Sequence, residues 1–356
     1  MMRELKYGQD WTFVNAIEIE DTKSGLIPLR FKRCHLSEMG EMARIARMAT
    51  GIELQLRGTF VKIEVDVKTV FSDGFGEAVE WYWGPYKILP HAKLGGDGMI
   101  TTLTLHVASW SKVDSRYPVR LIFPTHCEVQ VLAVRADGDA MPVSTYPCFD
   151  YRQLPGALGL RWMVHGDSIT QGANCSVPSM TWVDITARTM GCKAINLGIG
   201  GYGIAEPIIA KSIAARDDFD VLSLHVGANA KDPVTFLANL DGMLREIRSA
   251  HPAKPIFVAS PILSMGKEGT PEPTIAKIRA ASELHLSLLN KSDPHLHLLH
   301  GETLFGDPNG MNVDYLHLCD FGFTRYASNA IRLMRPVLER DRPSPGVLLG
   351  DVHRNP

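Results

Sequence analysis

The sequence predicts two folding units in series, an all-β sandwich followed by an α/β domain whose parallel sheet lies between layers of helix. Two observations carry the prediction. From Thr12 to about Ala136 the apolar residues recur mostly at every second position, the period of a half-buried strand. Beyond a turn-rich stretch, Tyr146 to Gly159, which contains Pro147 and Pro155, short apolar runs alternate with segments of helical period. The length agrees, because 356 residues exceed the ~150 that one core usually serves. The expected division is 1–150 for the sandwich, 151–342 for the α/β domain and an irregular tail over 343–356.

In the first unit the alternation is clearest at Ile52, Leu54 and Leu56 and at Val61, Ile63, Val65 and Val67. Further strands are expected in VEWYWG (79–84), ITTLTLHVA (100–108), VRLIF (119–123) and EVQVLAV (128–134), with Gly, Asp and Pro between them. The exception is Ser37 to Ala49, Met-rich and readable as a helical turn. In the second unit strands are expected at Arg161–His165, Ala194–Leu197, Val221–Val226, Pro255–Ser260 and Leu296–Leu299. Helices are expected between them at Met180–Met190, Ile204–Arg216, Pro233–Ala250 and Pro273–Asn290, with Phe323–Leu338 last. In the third helix Phe236, Leu237, Leu240, Met243, Leu244 and Ile247 share one face, as a helix covering a sheet requires.

Composition narrows the function before any motif is considered. Hydrophobic residues make up 45% and charged residues 21%, values of a chain with sizeable cores. Lys plus Arg number 37 against 39 Asp plus Glu, with no long basic run, so no nucleic-acid partner is expected. No stretch approaches the ~18 uninterrupted apolar residues of a membrane span, and the N-terminal residues lack the apolar core of a signal peptide. A soluble, cytoplasmic protein with no membrane partner is expected. Cys34, Cys127, Cys148, Cys175, Cys192 and Cys319 lie singly, without zinc-type CxxC pairs or the density of a disulfide scaffold, which implies reduced thiols.

The chemistry concentrates in the second unit. Trp162-Met-Val-His-Gly-Asp-Ser168 is a strand running into a Gly-Asp-Ser turn, and ligands of a parallel sheet bind at the carboxyl ends of its strands. A serine there becomes a nucleophile only with a general base in hydrogen-bond reach and a third group to orient that base. Asp314 and His317, three residues apart in Val-Asp-Tyr-Leu-His-Leu, form the candidate pair. Acyl transfer also needs donors aimed at the developing oxyanion. Asn196-Leu-Gly-Ile-Gly-Gly201 and His225-Val-Gly-Ala-Asn229 end strands on the same edge, so the N–H groups of Ser168 and Gly201 and the amide of Asn229 are the candidate donors. The Gly-Gly pair leaves the register open between Gly200 and Gly201.

GDSIT, NLGIGG, VGAN and DYLH, in this order, resemble the four blocks of the SGNH (GDSL-type) hydrolase superfamily, over roughly Arg161 to Leu338. The resemblance implies a three-layer α/β/α domain with a five-stranded, flavodoxin-like parallel sheet. It implies ester hydrolysis or acyl transfer through an acyl-serine, and no metal or cofactor is expected. By block matching it makes Ser168 the nucleophile, His317 the base, Asp314 its orienter, and Gly201 and Asn229 oxyanion donors beside Ser168. The chain departs from the family pattern at Ala230, where many members have Asp, and at Leu318, where many have Pro. With a jelly-roll-like β-sandwich in front, the chain is similar to a two-domain branch found among carbohydrate esterases.

The expected function is therefore an esterase acting on a small acyl ester, on a sugar or a glycosylated metabolite. An acyltransferase with the same triad, a thioesterase or lysophospholipase, and a ligand-binding protein with an inactive SGNH domain remain as alternatives, and the oligomeric state stays open, a homo-oligomer included. His295, His297 and His300 are read as strand and loop residues rather than metal ligands, and His225 as a strand-end histidine, while His165 is a secondary candidate for the pocket floor. Trp81, Tyr82, Trp83 and Tyr86 are read as packing residues before sugar-stacking ones, and Cys175 has no evident base of its own.

Overall fold

The computed structural model describes residues 2–107, 117–265 and 272–340. The expected tail and the last residue of the strand candidate 100–108 lie outside the described residues.

The N-terminal part is a sandwich of two antiparallel sheets. One orders its main strands as Ile100–His106, Lys62–Ser72, Cys127–Ala136, Gly25–Leu29 and Glu18–Thr22, and the other as Trp11–Val14, Glu53–Leu56, Val119–Ile122, Ala78–Trp83 and Tyr86–Lys93. The period-two residues meet between them: Leu54, Leu56, Ile63, Val65, Val67 and Leu121 are fully buried in one core with Trp81 and Val129. Val61 precedes its strand and is exposed, so that alternation starts one residue pair later than the sequence suggests. Trp81, Tyr82 and Trp83 are buried, as packing residues should be, whereas Tyr86 is exposed and meets Tyr117 edge-on.

The second sheet is covered on its outer face along Glu53–Leu56, Val119–Ile122 and Ala78–Trp83, while its edge strand Tyr86–Lys93 stays largely exposed. Its outward residues Glu53, Gln55, Glu80, Tyr82 and Arg120 are covered by the α/β part, so every polar group there needs a partner. Arg120 forks onto Glu53 at 2.7 and 2.6 Å. Gln55 exchanges two hydrogen bonds with the backbone of Phe149, both 2.8 Å, and Glu80 accepts from the Ser179 N–H and hydroxyl.

The α/β part is a five-stranded, wholly parallel sheet built from Arg161–Gly166, Lys193–Asn196, Val221–His225, Ile256–Ala259 and Leu296–Leu299. The order is second, first, third, fourth, fifth, so the chain reverses its direction of winding beside the first strand. Such a switch point opens a crevice at the carboxyl ends of the first and third strands. Helices Trp182–Met190, Pro207–Ala214, Pro233–Ala250, Pro273–Leu289 and Asp320–Arg340 flank the sheet. The expected helical face of Pro233–Ala250 is the buried one, except that Leu237 is only half buried.

The Met-rich stretch forms short helical turns, Arg33–Leu36, Gly40–Met42 and Ala43–Ala46, that plug the junction between the two parts. Leu36, Met39, Met42 and Ala46 share a core with Ile195, Ile199, Ile209 and Ile213, where flexible Met side chains suit an irregular gap. Arg30, buried to 2% exposure, locks this junction: it donates to the carbonyls of Met48 (2.7 Å) and Ile45 (3.2 Å) on its own side and of Asn196 (3.1 Å) and Gly198 (2.9 Å) across it.

Candidate active site

The first strand ends at Gly166, and the chain turns through Asp167 into the short helix Ser168–Gln171. Asp167 caps that helix, its Oδ1 accepting the Ile169 N–H at 2.9 Å. Ser168 thus occupies the first helical position, where the backbone N–H has no partner within the helix. Burial pushes the Asp167 carboxyl up to about 6, against the pull of the Ile169 N–H and of His317.

The Ser168 hydroxyl lies 2.8 Å from His317 Nε2, and His317 Nδ1 lies 2.7 Å from Asp314 Oδ2. The pair sits in an irregular segment ahead of helix Asp320–Arg340, with Tyr315 between them in the left-handed region at φ 61°. Local chemistry shapes this segment. Asp314 Oδ1 accepts the N–H groups of Leu316 (3.1 Å) and His317 (2.9 Å), an Asx turn that folds the imidazole back over the carboxylate. Partial burial raises the Asp314 pKa, but the hydrogen bonds from the His317 ring and from these two N–H groups outweigh it and hold the carboxyl below its ordinary range. Leu318, where the family pattern has Pro, is fully buried and its carbonyl accepts from Asn312 Nδ2 at 3.0 Å.

The segment after the second strand approaches the serine helix so closely that a Cβ on Gly198 would lie 2.4 Å from the Gln171 nitrogen. Gly200 donates its N–H to Gln171 Oε1 at 2.7 Å. That bond distinguishes the two glycines of the open register: Gly200 is engaged within the protein, and Gly201, at φ 78°, has no N–H partner among the described residues. Asn229 donates one amide hydrogen to the Tyr202 carbonyl at 2.7 Å, which ties the ends of the second and third strands together and leaves its other hydrogen unused there. Gly227 reinforces the tie through its N–H to the Gly203 carbonyl, 2.8 Å.

Ser168, His317 and Asp314 are therefore in one hydrogen-bonded line, with the Gly201 and Asn229 loops along the same sheet edge. His165 is buried with Nδ1 2.9 Å from the Leu197 carbonyl, and His225 is buried against the Tyr326 hydroxyl at 2.5 Å, with its pKa brought down to about 3 by burial. Both lie beneath the serine turn. Cys175 is a buried thiol that burial pushes up to about 12, an inert setting for a sulfur. The sequence reading missed Gln171, Phe75 and Asn174. Gln171 stands three residues after the serine and could have been suspected as a buried amide. Phe75 and Asn174 carry no local signal.

Phe75 comes from the sandwich and packs against the His317 ring, centroids 5.7 Å apart at 49°. An edge of the sandwich thus reaches the triad directly, and Thr125, on the same side, accepts from Gln171 Nε2 at 3.0 Å.

Among curated proteins none matches the chain by sequence. Among solved structures the fold is similar to a salicylyl-acyltransferase from a tetracycline biosynthetic pathway, at TM-score 0.77 and 23% identity over 92% of this chain and 95% of that one. It is also similar to a putative GDSL-like lipase from Bacteroides ovatus, at TM-score 0.71 and 19% identity over 92% and 94%. A family two carbohydrate esterase from Clostridium thermocellum, in complex with cellohexaose, follows at 0.60 and 14% over 92% and 99%. These likenesses span both the sandwich and the α/β part, so the two-part architecture recurs as a whole. Residues 161–335 match the model of the GDSL-like lipase/acylhydrolase family. That match covers the α/β part, including the Ser168, Gly201, Asn229 and His317 segments, and supports an SGNH-type hydrolase.

Proposed function

We propose that the chain is a serine esterase that hydrolyses a small acyl ester, on a sugar or a glycosylated metabolite, through an acyl-serine intermediate. One observation carries the reading: the unbroken line from Ser168 Oγ to His317 Nε2 (2.8 Å) and from His317 Nδ1 to Asp314 Oδ2 (2.7 Å). In the first half-reaction His317 takes the Ser168 proton as Oγ attacks the acyl carbonyl, and Asp314 stabilises the imidazolium and fixes its tautomer. The oxyanion of the tetrahedral intermediate meets the N–H groups of Ser168 and Gly201 and the second amide hydrogen of Asn229. Collapse passes the proton from His317 to the departing alkoxide; in the second half-reaction water, deprotonated by His317, attacks the acyl-serine, and the imidazolium returns that proton to Ser168 Oγ as the acid leaves. The sugar half of the reading rests on the likeness to the carbohydrate esterase solved with cellohexaose.

A second reading, transfer of the acyl group to an acceptor hydroxyl, draws on the likeness to the salicylyl-acyltransferase and on the Phe75 ring packed against His317, which limits approach of bulk water to the imidazole. The test is turnover of p-nitrophenyl esters from acetate to palmitate by the parent and by Ser168→Ala. Cleavage of short esters, lost by at least ~10³-fold in Ser168→Ala, supports the esterase. Preference for long chains supports a lipase-like enzyme instead. A stable acyl-enzyme seen by mass spectrometry without turnover supports transfer, and absence of any acylation of Ser168 refutes both readings.

A further inference from the structure

We propose that the β-sandwich is a working half of the active site: its loop around Phe75 and the junction residue Asn174 hold the Asp314–His317 pair in register with Ser168. The inference rests on the serine reading above and assigns Phe75 and Asn174 as positioning residues.

The segment that carries Asp314 and His317 protrudes. Val313 is 94% exposed and Tyr315 46%, and backbone bonds at the turn run from the Asn312 N–H to the His317 carbonyl, the Tyr315 N–H to the Asn312 carbonyl, the Met265 N–H to the Tyr315 carbonyl and the Cys319 N–H to the Gly310 carbonyl. An Asx turn fixes the imidazole relative to Asp314 but not the two together relative to Ser168. The buried Leu318 supplies part of that second constraint, and the sandwich supplies the rest. Phe75 packs at a tilt against the His317 ring, and on Phe75 in turn packs the ring of His126, 6.0 Å away at 53°. His126 is buried, bonded through Nδ1 to the Thr125 hydroxyl at 2.9 Å, and burial brings its pKa down to about 3, so it is a fixed neutral backing. Gly76 permits this approach, because a Cβ there would lie 2.5 Å from Thr125 Oγ1.

Asn174 couples the same loop to the carboxylate. Its backbone N–H donates to the Phe75 carbonyl at 3.0 Å, and its side-chain amide donates to Asp314 Oδ2 at 3.2 Å, the oxygen that also meets His317. The residue sits at φ 67°, a left-handed setting that Asn tolerates better than most. Two residues on, Ser176 binds both carboxylate oxygens of Asp320, through its N–H at 2.9 Å and its hydroxyl at 2.5 Å, which anchors the junction to the helix following the triad segment. Sandwich loop, junction and triad segment thus form one connected body.

The experiment compares Phe75→Ala, Phe75→Leu, Asn174→Gly and the parent on one short p-nitrophenyl ester, with Ser168→Ala alongside. Asn174→Gly keeps the left-handed backbone and its N–H and removes only the amide to Asp314. A misplaced base costs turnover, so Phe75→Ala and Asn174→Gly are expected to lower kcat by ~10–100-fold with KM within about twofold. Phe75→Leu, which restores the apolar cover, is expected to recover most of the loss. In proton NMR of the folded variants, the downfield resonance of the His317 Nδ1 proton is expected to broaden or shift in Asn174→Gly at unchanged melting temperature. An increase in KM at constant kcat makes Phe75 a substrate wall and overturns the proposal, as does unchanged kinetics together with an unchanged Nδ1 resonance. Activity persisting in Ser168→Ala instead overturns the serine reading itself, which keeps the two failures apart.

Discussion

Replacing Arg30 tests whether the two halves are locked by hydrogen bonds from a buried cation. Its guanidinium is 2% exposed, has four carbonyl acceptors and is drawn down by burial to about 9, still charged at neutral pH. A fall from 12.5 to about 9 corresponds to roughly 5 kcal/mol of desolvation cost at about 1.4 kcal/mol per unit. Four bonds from a charged donor return ~1.5–2 kcal/mol each, roughly 6–8 in all. Arg30→Met removes both terms, so the net loss is small, roughly 2 kcal/mol. Arg30→Lys keeps a buried charge but lacks the planar fork that reaches acceptors on both sides, so it is expected to be the less stable variant by a further ~2 kcal/mol. The assay is urea unfolding with the slope held common, together with kcat, which should fall in both variants because Asn196 and Gly198 lead into the Gly200–Gly201 turn. A Lys variant as stable as the parent, or more stable than the Met variant, would refute the reasoning.

Other outcomes follow from the same contacts. Gln171→Leu strands the Gly200 N–H and is expected to cost ~1–3 kcal/mol and to lower kcat more than KM; parental kcat would show that Gln171 does not hold the oxyanion turn. Asp167, with its folded pKa raised to about 6 against ~3.9 unfolded, holds its proton more tightly when folded, so its contribution to stability falls as pH rises from 4 to 6. Asp167→Asn, which keeps a capping oxygen, should therefore gain melting temperature over the parent progressively between pH 4 and 7, and a pH-independent difference would count against a raised carboxyl. Lowering the pH through the depressed range of Asp314 should remove the carboxylate that His317 faces, so parent and Asp314→Asn should converge in activity at the acid extreme and diverge near neutrality. Activity ratios constant across that range would contradict the pairing.

Much of the fold was legible because its signals are local. The alternation at Leu54–Leu56 and Ile63–Val67 and the one-sided face of Pro233–Ala250 need only neighbours a few residues away, and the five parallel strands lie within a residue or two of where the apolar runs put them. The candidate site was legible to the extent that its parts are short motifs at strand ends. Alternation at Glu53–Leu56 and Val119–Ile122 nonetheless reads as a sheet with a wet outer face, yet Gln55 and Arg120 are fully buried against the α/β part. A polar residue in a period-two pattern says which face it is on, not what covers that face, and here the cover is a different part of the chain.

The sequence by itself determined which residue types stand at each strand end: a serine after the first strand, glycines after the second, an amide after the third, and an Asp–His pair ahead of the last helix. Tertiary structure alone decided that Gly200 rather than Gly201 has its N–H taken by Gln171, that Asn229 is tied to Tyr202, and that Phe75 of the other half lies on His317. The physical reason is the reach of each constraint. Periodicity, caps and Asx turns act over a few residues along the chain, while the placing of one loop against another depends on how two separately folded surfaces meet.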